Sequence, residues 1–242
     1  MSNFLSGAVT VVGQTLHSSS ADQYHKLGEL VFSNDGRAYR YCQAGGTALV
    51  AGQLQQSQAE DTDTQNLTAV AAAVDDLTIA STTTVTVTAN EYAEGFILTS
   101  VTPGVGRMYK IKGHIAYAAA APTFNLDNDP VKVALTTTTR LDAFANPYKA
   151  VVVNPTTLTG IPVGVGIHPI VGTEFGWLQV GGVANILADG ALLVGASAVA
   201  SDGTAGAVEA AGLNVGTLSL IGSALTGITS TEYGAVRIRG LL

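Results

Sequence analysis

Apolar residues in this chain recur at alternate positions over short runs, and small or polar residues break every run. The clearest case is 82–88, where Val85 and Val87 alternate with Thr84, Thr86 and Thr88. A period of two puts the valines on one face and the hydroxyls on the other, as in a half-buried strand. Asn34-Asp35-Gly36 separates the strand-like runs 27–32 and 37–42, and Asp-Gly at that place predicts a hairpin because both residues tolerate φ > 0. Pro103-Gly104 separates 96–101 from 106–114 in the same way. Further strands are expected at 131–135, 151–153 and 161–167, and at 235–239 as an edge strand with Val236 and Ile238 on one face and Arg237 and Arg239 on the other.

The stretch 174–209 holds the only tryptophan, Trp177. Gly181-Gly182, Asp189-Gly190 and Ser201-Asp202-Gly203 cut its apolar residues into pieces, which predicts brief strands joined by tight turns. The fold class expected is all-β: compact β-sandwich or barrel modules with an extended N-terminal arm. Residues 1–25 are small and polar around Ser18-Ser19-Ser20 and form the arm. Asn154-Pro155 is the best boundary, dividing a β-rich domain at 26–155 from a C-terminal small barrel or sandwich at 156–242.

Composition sharpens this picture. Hydrophobic residues make up 47% of the 242 residues and charged residues only 12%, about half the usual share. Interface cores are depleted in Lys, Glu and Asp, so so bare a surface points to burial against other subunits. The net charge is −7 and the eleven basic residues are scattered, which excludes the electrostatic footprint of a nucleic-acid binder. Tyr39 and Tyr41 between Arg37 and Arg40 do not alter that. No apolar run reaches the length of a bilayer span, and the first residues lack a signal-peptide pattern, so no membrane association is expected and synthesis in a cytoplasm is.

Candidate chemistry is thin. Cys42 is the only cysteine, so neither an intramolecular disulfide nor a multi-cysteine zinc site is possible. His17, His25, His114 and His168 lie in separate segments without metal-ligand spacing. Glu60-Asp61 with Asp63 lacks the remaining ligands of a calcium loop, and Asp127 with Asp129 reads as turn chemistry. Gly104-Val105-Gly106 leads into a strand and so fails the strand–loop–helix context of a phosphate cradle. The pairs Asp75/Asp76, Glu91/Glu94 and Asp127/Asp129 are the only hydrolase-like carboxylates, and they carry no distinctive spacing. No catalytic, cofactor-binding or metal residues, and no small-molecule substrate, are expected.

Several patches, taken in order, resemble virion structural proteins of tailed bacteriophages, above all head cement or decoration proteins. They are Phe32-Ser33-Asn34-Asp35-Gly36-Arg37-Ala38-Tyr39-Arg40-Tyr41 with Ala44-Gly45-Gly46-Thr47-Ala48-Leu49, then Ala89-Asn90-Glu91-Tyr92-Ala93-Glu94-Gly95 and Tyr109-Lys110-Ile111-Lys112-Gly113-His114. The last is Gly176-Trp177-Leu178-Gln179-Val180-Gly181-Gly182 with Leu187-Ala188-Asp189-Gly190. The resemblance implies a β-rich, non-enzymatic homo-oligomer, often a trimer, on the outer capsid surface of the virion, with the major capsid protein as partner. Phe4, Leu5, Val9 and Val11 of the arm, Tyr39, Tyr41, Arg237 and Arg239 are the candidate capsid or subunit contacts. A tail or fibre module that recognises a receptor, and a virion-associated hydrolase, are the alternative readings.

Overall fold

The structure is a computed structural model and describes residues 13–212, 219–239 and 241. Strands make up 43% of it and helix 1%, so the all-β expectation holds. In chain order the strands are β1 (Leu30–Phe32), β2 (Ala38–Gln43), β3 (Leu54–Gln56), β4 (Leu67–Thr68), β5 (Thr78–Ala80) and β6 (Val85–Val87). Next come β7 (Phe96–Val101), β8 (Met108–Gly113), β9 (Tyr117–Ala120), β10 (Thr123–Leu126), β11 (Arg140–Phe144) and β12 (Val152–Val153). The last are β13 (Pro162–Gly166), β14 (Phe175–Leu187), β15 (Ser197–Ala200), β16 (Val208–Ala210), β17 (Leu220–Ala224) and β18 (Tyr233–Ile238).

The chain forms two compact units, Met1–Ala59 with Pro147–Leu242, and Glu60–Asn146. This division differs from the expected one at 155/156. The chain leaves the first unit after β3 and returns to it at β12, which pairs with β3. Asn154-Pro155 therefore lies inside a unit, and proline there only ends β12. The second unit is a six-stranded sheet in the order β4-β11-β7-β8-β10-β5, with β6 and β9 paired separately. Its core gathers Leu67, Ile79, Val85, Val87, Tyr92, Ile97, Tyr109, Ile111, Phe124 and Leu141. Val85 and Val87 are buried and Thr86 is exposed, as the alternation requires. The stretch 131–135 is not a strand: Val131 and Leu135 are buried, and Leu135 forms a bridge to Ala72 in an irregular segment.

The first unit contains the same five-stranded arrangement twice. The first repeat comprises β2, β3, β12, β13 and the opening half of β14; the second comprises the closing half of β14 and β15 to β18. The sheet orders are β12-β3-β13-β14-β2 and β16-β15-β17-β18-β14. The backbone bonds correspond one by one. Leu49 and Ile170 each donate to the other's carbonyl (2.9 and 3.2 Å), as do Leu192 and Ile228 (both 2.9 Å). Gly52 N donates to Gly166 O at 2.7 Å and Gly195 N to Ala224 O at 2.8 Å. Ala44 N donates to Glu174 O, and Ala188 N to Glu232 O, both at 2.8 Å. Thr173 and Thr231 both take positive φ, 70° and 69°. Parallel bridges Ala44↔Val151 and Ala188↔Val208 bring the first strand of each repeat back to its third, which curls each sheet on itself. The second unit carries the same clasp, since Ala72 and Leu135 exchange bonds at 3.1 and 2.9 Å and Asp75 N donates to Val131 O at 2.8 Å.

Two expectations change here. The region 175–187 is one thirteen-residue strand rather than two short ones. Gly181-Gly182 does not turn the chain; a bulge between Gln179 and Gly181 shifts register, and φ of +78° at Gly182 lets the strand pass from one repeat into the next. β18 is not an edge strand, because it pairs with both β14 and β17. Val236 and Ile238 are buried there, with Val180, Ile186, Leu192, Val208 and Ile221, in the core of the second repeat.

Candidate functional site

The described part of the arm lies down on its own chain. Ser20 and Phe175 exchange backbone bonds of 3.1 and 2.8 Å. The Gln14 amide nitrogen donates to Phe175 O (2.8 Å), and its carbonyl accepts from the Tyr41 hydroxyl (2.7 Å). That hydroxyl in turn accepts from Tyr24 N at 3.2 Å. The His25 ring packs 5.1 Å from both Tyr41 and Trp177, whose own centroids are 5.0 Å apart. Such aromatic pairs add about 0.5–1.5 kcal/mol each beyond area burial. The end of the first repeat formed by Tyr41, Phe175 and Trp177 is thereby capped.

The other end of the first repeat is covered by the second. Leu187 N donates to Gly52 O (2.9 Å), Leu54 N to Gly206 O (2.7 Å), and Gly206 N to Asn154 O (2.8 Å). Gly52 leaves room for the Tyr233 ring, which a Cβ there would strike. Gly52, Leu54 and Asn154 are accordingly buried. Their counterparts in the second repeat, Gly195, Ser197 and Ala211, are exposed or half-buried. Around them stand Leu193, Val194 and Leu225, 75%, 70% and 46% exposed. The Gly195–Ala224 bond sets Leu225 beside the turn that carries Leu193 and Val194. The stack thus has a cap, two repeats, and an apolar end that none of the first unit's described residues covers. In repeat architectures such ends are normally closed by a polar cap.

The expected contact residues scatter. Phe4, Leu5, Val9 and Val11 lie outside the described residues. Tyr39 and Tyr41 are 1% and 0% exposed, so they are core residues and not contacts. Alternation predicts that they share a face, but not that the arm covers it. Arg237 and Arg239 are exposed, on the interior strand β18 and just after it. Leu193, Val194 and Leu225 were missed because apolar residues in a small-residue run read as core; only the repeat identifies them as an end.

The titratable groups serve the backbone. His114 Nδ1 faces Ile115 O at 2.8 Å, and its Nε2 accepts from Tyr92 N at 3.0 Å, so both ring nitrogens of this core histidine are committed to the backbone. The Tyr92 hydroxyl donates to Asp61 at 2.5 Å; burial first, and then this bond, push the phenol up. Burial likewise pushes the Cys42 thiol well above its ordinary range, which removes its nucleophilic form. Asp76 accepts from Ala73 N and Glu91 from Thr88 N as turn caps, and Asp129 accepts from Lys110 N of β8. Burial, and then the Asp202 carboxylate, raise Glu209. Among the described residues no group of three His, Cys, Asp or Glu is placed to hold a metal ion, and no helix is long and apolar enough to cross a membrane.

A cleft of about 590 Å³ opens between the two repeats, with Gly52, Ile167, Val183 and Tyr233 in its walls and His17, Arg37, Gln179 and Asn185 as its polar side chains. Comparison of the chain with family models, curated proteins and solved structures finds no match in any of the three.

Proposed function

We propose that this protein is a non-enzymatic virion component, a head cement or decoration protein that self-associates and bridges capsomers from the outer capsid surface. The observation that carries the reading is the uncapped end of the second repeat, where Gly195 and Ser197 are exposed at positions the first repeat buries and Leu193, Val194 and Leu225 stand exposed around them. Apolar side chains at such exposure, on a chain with 12% charged residues, suit a surface covered in an assembly. The arm cap at the opposite end prevents open head-to-tail growth, so copies that meet through the free end form a closed oligomer about a rotation axis. A homotrimer at a capsid symmetry axis satisfies that condition. The carboxylates committed to backbone N–H groups, His114 with both ring nitrogens on the backbone, and the buried Cys42 support the non-enzymatic part of the reading.

Light scattering tests it. The purified chain is expected to be a homo-oligomer that binds phage heads lacking it and raises their resistance to heat. Leu193→Asp combined with Leu225→Asp is expected to give a monomer with an unchanged β-type circular dichroism spectrum. A wild-type monomer without affinity for heads would sink the proposal.

A further inference from the structure

Among the cross-strand pairs at which the two repeats differ, one exchanges two large rings for small or polar side chains. In the first, Trp177 lies opposite Tyr41; in the second, the corresponding pair is Ala235 opposite Asn185. Where the arm meets the first repeat, Tyr41, Trp177 and His25 fill the junction with rings about 5 Å apart. Where the first repeat meets the second, alanine and asparagine leave the cleft of about 590 Å³. That volume lies within the range of small-molecule sites. The cleft is therefore a junction from which two large aromatic side chains are missing.

Its chemistry narrows the ligand. Tyr233, Ile167, Val183 and Ala235 present apolar surface, and the Tyr233 ring is braced against Gly52 while 47% exposed. The Gln179 amide nitrogen is committed to Gly181 O and Val183 O (2.9 and 2.8 Å), so that side chain offers its carbonyl oxygen. Asn185 offers both a donor and an acceptor, and His17 one of each when neutral. Among the described residues Arg37 is the one cation in the lining, and its Nε is paired with Asp35 at 2.6 Å. A ligand of phosphate type would find too little positive charge here. A wholly apolar one would bury the amides unpaired, at about 1–3 kcal/mol each. We propose that the cleft binds a neutral saccharide unit: a flat ring whose C–H face packs on Tyr233 and whose hydroxyls, donors and acceptors at once, meet Asn185, Gln179, His17 and Arg37. This site is independent of the cement reading and of the uncapped end.

Saturation-transfer NMR on the full chain tests it, with D-glucose, D-galactose, N-acetyl-D-glucosamine and their disaccharides as probes. At least one is expected to receive saturation on its ring protons. Ala235→Trp, which writes in the residue of the filled junction, is expected to abolish the transfer while the protein stays folded. Should that variant misfold, Asn185→Ala is expected to weaken binding roughly tenfold, the worth of one lost hydrogen bond, with the melting temperature unchanged. Absence of transfer to every probe overturns the proposal, as does binding that survives both substitutions. Binding of N-acetyl-tryptophanamide but of no sugar also overturns it, and would assign the cleft to an aromatic side chain of a protein partner.

Discussion

Tyr92 shows how the polar residues of this chain are used. Its ring belongs to the core of the second unit, and its hydroxyl reaches Asp61 and Thr64. Burial, the largest cause in each case, pushes up the phenols of Tyr39, Tyr41, Tyr92 and Tyr148. The sign follows directly: the fold favours the neutral phenol, so the native state keeps its proton above pH 10, where the unfolded chain loses it. The associated stability is intact below pH 10 and is lost as the pH rises from there through the folded values. In an alkaline titration followed by tyrosinate absorbance, these four are therefore expected to ionise only above pH 10 and together with unfolding seen by circular dichroism. Ionisation of these four near pH 10, with the fold intact, would contradict the burial argument.

At the scale of the element, β14 is the feature on which the first unit depends. It pairs with β2 and β13 along its first half and with β18 along its second. Its glycines act by leaving space: a Cβ at Gly182 would lie 2.9 Å from both Arg37 Cα and Gly36 O, and the φ of +78° adds strain. Gly182→Ala is expected to destabilise the protein by about 1–3 kcal/mol, read as a lower urea midpoint at unchanged slope. An unchanged midpoint would mean that the strand passes between repeats without needing that conformation. The hairpin at Asp35-Gly36, the β7–β8 hairpin after Pro103-Gly104 and the alternation at Val85 and Val87 were all legible, because turn chemistry and a period of two are local properties. The continuity of β14 was not. Gly-Gly has the same appearance in a turn, in a bulge and at a close backbone approach, and only Gly36 and Arg37 in the β1–β2 turn distinguish them.

At the scale of the whole molecule, the repeats explain the domain arrangement. The second repeat joins β15 to β16 by the short turn 201–207, and the first repeat carries the entire unit Glu60–Asn146 in the corresponding connection between β3 and β12. The second unit is thus an insertion at a surface turn, a place where inserted domains are commonly tolerated. Replacing 60–146 by a turn copied from 201–207 is expected to leave a soluble β-protein with a single cooperative melting transition. Aggregation of that variant, with loss of its β-type spectrum, would show that the first unit depends on its insert. The repeat itself was hidden because its visible echo is short: Thr173-Glu174-Phe175-Gly176 against Thr231-Glu232-Tyr233-Gly234. Backbone clasps such as Leu49 with Ile170 and Leu192 with Ile228 demand only an apolar pair, so the rest of the sequence was free to diverge.

By itself the sequence determined that this chain is all-β, where its tight hairpins lie, and that its surface is unusually poor in charge. Each of these follows from neighbours along the chain or from composition. The tertiary structure alone decided that Tyr39 and Tyr41 are core, that β18 is interior, that the described part of the arm caps its own first repeat, and that Leu193, Val194 and Leu225 form an open end. Burial depends on what arrives from elsewhere in the chain, and no local pattern records whether the next layer is present. The same holds for the cleft: Ala235 and Asn185 are unremarked small and polar residues until Trp177 and Tyr41 appear at the corresponding places one repeat earlier.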